Sequence, residues 1–148
     1  MQWEKFKDLF HESWHLKMQP FIESEACDNI YKFLKAESKR GKTIAPLSLN
    51  VYRCFIETSL DDLKVVMMGM APYHTLKNGS PVADGLLMGC STTGLLQPSL
   101  TQFYGAIERE NYNGLCAYCD KTNPDVSYLA RQGVLMFNAS LTTEINKA

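Results

Sequence analysis

No apolar run in this sequence approaches the ~20 residues needed to cross a bilayer, and Met1-Gln2-Trp3-Glu4-Lys5 lacks the apolar core of a secretory signal. Strong charge of one sign is also missing: 15 Lys and Arg against 16 Asp and Glu leave a formal net charge of −1. A nucleic-acid partner would have to be held by local cations, backbone N–H groups and hydroxyls, not by a global basic field. Histidine is scarce, with three copies at positions 11, 15 and 74. The five cysteines are an odd number that fits reduced thiols inside a cell better than a disulfide framework. Cys116-Ala117-Tyr118-Cys119 has no second pair and no neighbouring His, which speaks against a four-ligand zinc site and leaves a redox dithiol as the weaker alternative. Repeats and low-complexity segments are absent too, and no metal or cofactor is expected.

What remains is an ordinary globular composition, 45% hydrophobic and 21% charged in 148 residues, enough for one domain. A helix is expected from about Gln19-Pro20, with Ile22, Ala26, Ile30, Phe33 and Leu34 on one face and Lys39-Arg40-Gly41 as its stop. A second fits Ser48 to Thr58, with Val51, Cys54 and Phe55 inward. Leu63–Met68 reads as a short buried strand, and Val134–Phe137 as another, ending at Asn138. Between them, 75–93 reads as loop apart from the apolar run Gly85-Leu86-Leu87-Met88. Ser99-Leu100-Thr101-Gln102 has the pattern of a capping box opening a helix with Leu100, Phe103, Tyr104 and Ile107 inward. Residues 111–125 read as a connection, and Asn123-Pro124 opens a short helix that Gly133 closes. Strands separated by helices indicate an α/β fold with a central parallel sheet between helical layers.

Ligands in such folds bind beyond the carboxyl ends of the strands. Gly69-Met70-Ala71-Pro72-Tyr73-His74 follows one strand and Asn138 ends the other, so parallel neighbours would bring Tyr73, His74 and Asn138 to one edge. A carboxamide there offers one donor and one acceptor, the pair needed to read a base edge. Each residue taken singly also fits an ordinary turn; their convergence is what points to a site.

Taken in order, several segments resemble the family 1 uracil-DNA glycosylases. Lys42-Thr43-Ile44-Ala45-Pro46 resembles that family's K-T-I-Y-P, and Leu60-Asp61-Asp62-Leu63-Lys64-Val65-Val66 its L-D-D-V-K-V-V. Gly69 to His74 stands where the family has G-Q-D-P-Y-H, and Ala83-Asp84-Gly85-Leu86-Leu87-Met88 where it has A-H-G-L-C-F. Gln97-Pro98-Ser99-Leu100 resembles P-P-S-L, and 132–142 resembles Q-G-V-L-L-L-N-A-V-L-T. The resemblance implies a three-layer α/β/α domain over 1–148 that lacks the family's C-terminal strands. It also implies a hydrolase that cleaves the N-glycosidic bond of uracil, or a modified pyrimidine, flipped out of single- or double-stranded DNA. Asn138 would read the base, Tyr73 would block the thymine methyl, and Met70, Ala71 and Met88 would line its pocket. Pro98 and Ser99 would touch the DNA backbone, with His74 among the catalytic groups.

Ala71 stands in place of the family's catalytic Asp and Met88 in place of its stacking Phe. Asp84, in place of a family His, is the expected substitute acid, with a simple cap on the Gly85 turn as the bland alternative. A soft Met wall fits a modified pyrimidine. The family implies a soluble intracellular monomer, in cytoplasm or nucleus and with a viral source open, and a proteinaceous glycosylase inhibitor as a second partner. The competing expectation is a catalytically impaired glycosylase-like protein that binds DNA or such an inhibitor.

Overall fold

The computed structural model describes residues 2–110 and 121–147; the Cys116–Cys119 pair lies outside them. The chain opens with three 3-10 turns, Trp3–Lys5, Lys7–Leu9 and Glu12–Trp14, followed by α1 (His15–Ile22) and α2 (Glu25–Lys39). These turns exist because aromatic rings need cover. Trp3 stacks on Phe10, and Trp14 meets Phe55 edge-on. The Trp14 indole Nε1–H donates to the Thr58 carbonyl at 2.7 Å, satisfying its one polar atom inside the core.

The helix expected to run unbroken from about 20 is divided. Ser24 caps α2, its hydroxyl accepting from the Cys27 N–H at 3.2 Å and donating to the Phe21 carbonyl at 2.6 Å. The break resets the buried face: α2 buries Cys27 and Glu37, while Ala26, Ile30 and Phe33 stay exposed. Beside them lies a groove of about 720 Å³ lined by Phe21, Ile30, Tyr31, Leu34 and Val51 among others.

β1 (Ile44–Ala45) is followed by α3 (Arg53–Glu57), shorter than the expected helix because Ser48–Asn50 winds as a 3-10 turn. Cys54 of α3 is fully buried. β2 (Val65–Gly69) follows, then a hairpin of β3 (Leu76–Lys77) and β4 (Ser80–Pro81) within the stretch expected to be loop. Asn78 and Gly79 both take positive φ, 51° and 78°, the geometry of a tight hairpin turn.

α4 (Pro98–Glu110) begins one residue before the expected cap. Pro98 takes the first helical position, where its missing N–H costs nothing, and the Gln97 carbonyl accepts from Thr101. Leu100 and Tyr104 are buried as expected, and the Tyr104 hydroxyl donates to the Asn123 carbonyl at 2.8 Å. α5 (Ser127–Ala130), β5 (Val134–Asn138) and β6 (Thr143–Glu144) complete the described chain.

β2 and β5 pair in parallel, with Val65 opposite Val134 and Gly69 opposite Asn138, so both strands end at the same edge. α3 and α5 pack against β5. β5 is largely buried, but β2 is not. Val66 is 56% and Met68 65% exposed, and among the described residues no strand pairs with its outer edge. The expectation of a buried first strand is therefore corrected: side chains leave the two faces of a sheet, and with Val65 and Val66 both exposed neither face of β2 is covered over its first residues by the described chain. β1 pairs antiparallel with β6.

That pairing brings Lys42 against Glu37 and, at 3.1 Å, Glu144. The hydrogen bond from Lys42 holds the Glu37 carboxyl below the ordinary carboxylate range, with Arg40 helping and burial opposing. Burial raises the Glu144 carboxyl, but Lys42 and Lys147 outweigh it and the net shift is downward. Carboxyls lowered on folding add stability above their unfolded pKa and forfeit it as pH falls. The urea midpoint is expected to drop as pH falls through 4.5 and below, by less in Glu37→Gln; an equal drop in both proteins would assign acid sensitivity elsewhere.

Candidate functional site

The register of β2 and β5 sets the site. A cavity of about 280 Å³ opens beyond their carboxyl ends, lined by Met70, Ala71, Pro72, Tyr73, Ala83, Leu86, Leu87, Met88, Ser99 and Asn138. Four separate stretches of chain meet there: the β2 exit, the 83–88 turn, the first turn of α4 and the last residue of β5. The peptide N–H groups of Ala139 and Ser140 donate to the Gly69 and Met70 carbonyls at 2.9 and 3.0 Å, locking the two strand exits side by side.

Gly69 is needed at this junction. A Cβ there would overlap the Leu87 side chain and stand 2.6 Å from Asn138 Oδ1, so only hydrogen leaves the carboxamide its place. Asn138 is 6% exposed, and its Oδ1 is buried with no hydrogen-bond partner among the described residues. Burying an amide oxygen unpaired costs about 1–3 kcal/mol. The Asn138 side chain belongs to the cavity lining, and a buried acceptor left unpaired calls for a partner.

Tyr73 is half-buried, and its hydroxyl shares a hydrogen bond with that of Ser99, tying the β2 exit to α4. Burial pushes the phenol's pKa up, while the Ser99 bond pulls in the other direction; the net shift is upward, so the ring is neutral at physiological pH. Met70 and Ala71 stand exposed at the mouth. Met88 lines the wall in a left-handed backbone conformation, φ 60°. Pro98 sits beside Ser99 at the exposed start of α4 but does not line the cavity.

Two expected residues are not brought to the cavity. His74, next in the chain after Tyr73, is not among the residues that line it. The Asn146 N–H binds the His74 carbonyl at 2.7 Å and the chain turns away into β3, leaving His74 Nδ1 buried without a partner. Asp84 is not among the lining residues either. Fully buried, it accepts from the Leu86 and Ser91 N–H groups at 3.1 and 3.0 Å and from the Ser91 hydroxyl at 2.6 Å, and it pairs with Arg53 at 2.9 Å. Its carboxylate caps the turn, the simpler of the two expected roles. The lining thus holds no carboxylate and no imidazole. Leu86, Leu87 and Ala83 are lining residues that sequence reasoning left out; the apolar run after Asp84 was their only trace. Among the described residues no group of His, Cys, Asp or Glu is arranged to hold a metal ion, and no helix is long and apolar enough to cross a membrane.

No protein-family model matches the sequence. Over 135 residues, 89% of its length, the chain is 33% identical to a uracil-DNA glycosylase of Francisella tularensis subsp. tularensis. A uracil-DNA glycosylase of Francisella philomiragia is 32% identical over 132 residues. The chain spans about half the length of these relatives, 54% and 55%. Among solved structures, mimivirus uracil-DNA glycosylase superposes on 95% of the chain with a TM-score of 0.80 at 20% identity, covering 50% of that protein. A variant of mimivirus UNG in complex with UGI superposes with a TM-score of 0.74 at 18% identity.

Proposed function

The chain is a homologue of the uracil-DNA glycosylases along 89% of its length and shares their α/β fold, and from that premise we propose that it binds a uracil-type base extruded from DNA and cleaves its N-glycosidic bond. One observation carries the reading: a buried carboxamide with an unpaired oxygen, on the wall of a cavity at the paired strand ends.

Uracil presents N3–H and O4 side by side. Asn138 Oδ1 accepts the first and Nδ2 donates to the second. Cytosine presents the reverse pattern, and a buried amide facing it would have both groups mismatched, a penalty that discriminates by ~10⁴ or more. The Tyr73 ring fills the side where thymine carries its methyl. Ser99 and Pro98, at the start of the 13-residue α4, take the adjoining phosphate, where the positive end of the helix dipole favours an anion. Met88, unbranched and polarizable, yields to a substituent that a rigid ring would exclude, so modified pyrimidines belong to the substrate class.

Cleavage leaves negative charge on the departing base and positive charge on the sugar. The Asn138 amide stabilises the first as the bond stretches. Ala71 supplies nothing for the second, and no acid among the described lining residues replaces it. Turnover is therefore slow. That same absence favours the second reading, a glycosylase-like protein that holds uracil-DNA or a proteinaceous inhibitor without cleavage; the mimivirus variant in complex with UGI supports the inhibitor as a partner.

Incubation of the protein with a single-stranded oligonucleotide carrying one uracil, followed by alkali, tests both. Strand scission at the uracil is the expected result. Retained binding without abasic product assigns the second reading, and failure to distinguish uracil from thymine overturns both.

A further inference from the structure

The carboxylate expected to act on substrate does something else. Asp84 lies at the centre of a turn whose outer side chains, Leu87 and Met88, form one wall of the cavity. We propose that Arg53 and Asp84 form a positioning pair that sets the shape of that wall; the inference rests on the reading of the cavity as a base site.

Both carboxylate oxygens are committed. Oδ1 accepts from the Leu86 N–H at 3.1 Å, and Oδ2 takes the Ser91 N–H, the Ser91 hydroxyl and Arg53 Nη1. The turn from 84 to 91 is thereby wound around one anion. Gly89 lacks a side chain where a Cβ would overlap that carboxylate. Met88 takes φ 60°, a left-handed conformation unfavourable for a non-glycine residue, which needs its surroundings to hold it. On the far side, the Leu87 N–H donates to the Met136 carbonyl at 3.1 Å, fixing the turn to β5.

Arg53 is what allows a fully buried carboxylate here. Its guanidinium reaches Asp84 and the Ser91 hydroxyl through Nη1, Asp125 through Nη2 at 2.9 Å and Glu57 through Nε at 3.3 Å. Burial works against its charge, but Asp84, Asp125 and Glu57 outweigh it and raise the pKa. Without the cation, Asp84 would be buried and unpaired, a state that forces the turn to open toward water. Leu87 and Met88 would leave the wall with it.

The test compares affinity for a single-stranded oligonucleotide bearing one uracil with that for the same strand bearing a tetrahydrofuran abasic site. Phosphate contacts cancel in the ratio, which reads contact with the base alone. Asp84→Asn is expected to lower the ratio by about tenfold or more. Ser91→Ala, which removes one brace and leaves the charges in place, lowers it by about threefold. Arg53→Lys, which keeps a cation but cannot span Asp84, Ser91, Asp125 and Glu57 as the planar fork does, lowers it by about threefold. Glu57→Gln, at the outer end of the network, lowers the melting temperature without moving the ratio. An unchanged ratio in both Asp84→Asn and Ser91→Ala overturns the positioning role, as does a Glu57→Gln loss equal to that of Asp84→Asn. A wild-type ratio of one would instead overturn the base-site reading itself.

Discussion

Asn138→Ala is expected to lower uracil excision by at least about 10³-fold while leaving the melting temperature unchanged or raised. The two halves of that expectation have one cause. Asn138 Oδ1 is buried against Gly69 without a hydrogen-bond partner, so the folded protein carries an unsatisfied acceptor. Removing it relieves a desolvation cost of about 1–3 kcal/mol, against which the lost packing of the side chain is set. A purely structural asparagine would behave in the opposite way, destabilising the fold on removal and leaving selectivity intact. Excision kinetics on uracil-containing single strands, with thermal unfolding of the same preparations, separate the two. Undiminished excision in the alanine variant would remove the carboxamide from the chemistry.

The second large effect is a gain. Ala71→Asp should raise the excision rate by about 10² to 10⁴-fold, the usual contribution of a positioned general base. Ala71 lines the cavity mouth and is exposed, so a carboxylate there stays hydrated and ionised and fits without repacking. It would face the sugar side of a base held by Asn138, where a water can be oriented and the developing sugar cation stabilised. The gain should appear in the single-turnover rate, with affinity for uracil-DNA nearly unchanged. Tighter binding with no faster cleavage would mean that position 71 does not face the scissile bond.

Much of this site was legible because its two strands announce themselves. Val65–Met68 and Val134–Phe137 are apolar runs between turn residues, and the parallel pairing of Gly69 with Asn138 follows once the strands are neighbours. The stripe of Leu100 and Tyr104 likewise gave α4, since helical spacing leaves a periodic trace. The 3-10 turns at the start left none, because three-residue turns have no amphipathic period. The β3–β4 hairpin did carry its signal in Asn78-Gly79, obscured by the polar residues around it. The exposure of Ile30 and Phe33 was out of reach: periodicity marks a face and is silent on what covers it. Asp84 was misplaced for a similar reason. Its partner Arg53 stands 31 residues earlier, and nothing local distinguishes a carboxylate aimed at a ligand from one aimed at a guanidinium.

The bare flank of β2 bears on handling more than on chemistry. Val66 and Met68 point outward on a strand whose far side has no mate among the described residues. Such a surface is sticky: it presents apolar side chains to water, and a formal charge of −1 offers little repulsion to keep neighbours apart. These exposed side chains flank the strand pair whose ends carry Gly69 and Asn138, and charged replacements at Val66 and Met68 reduce that apolar exposure.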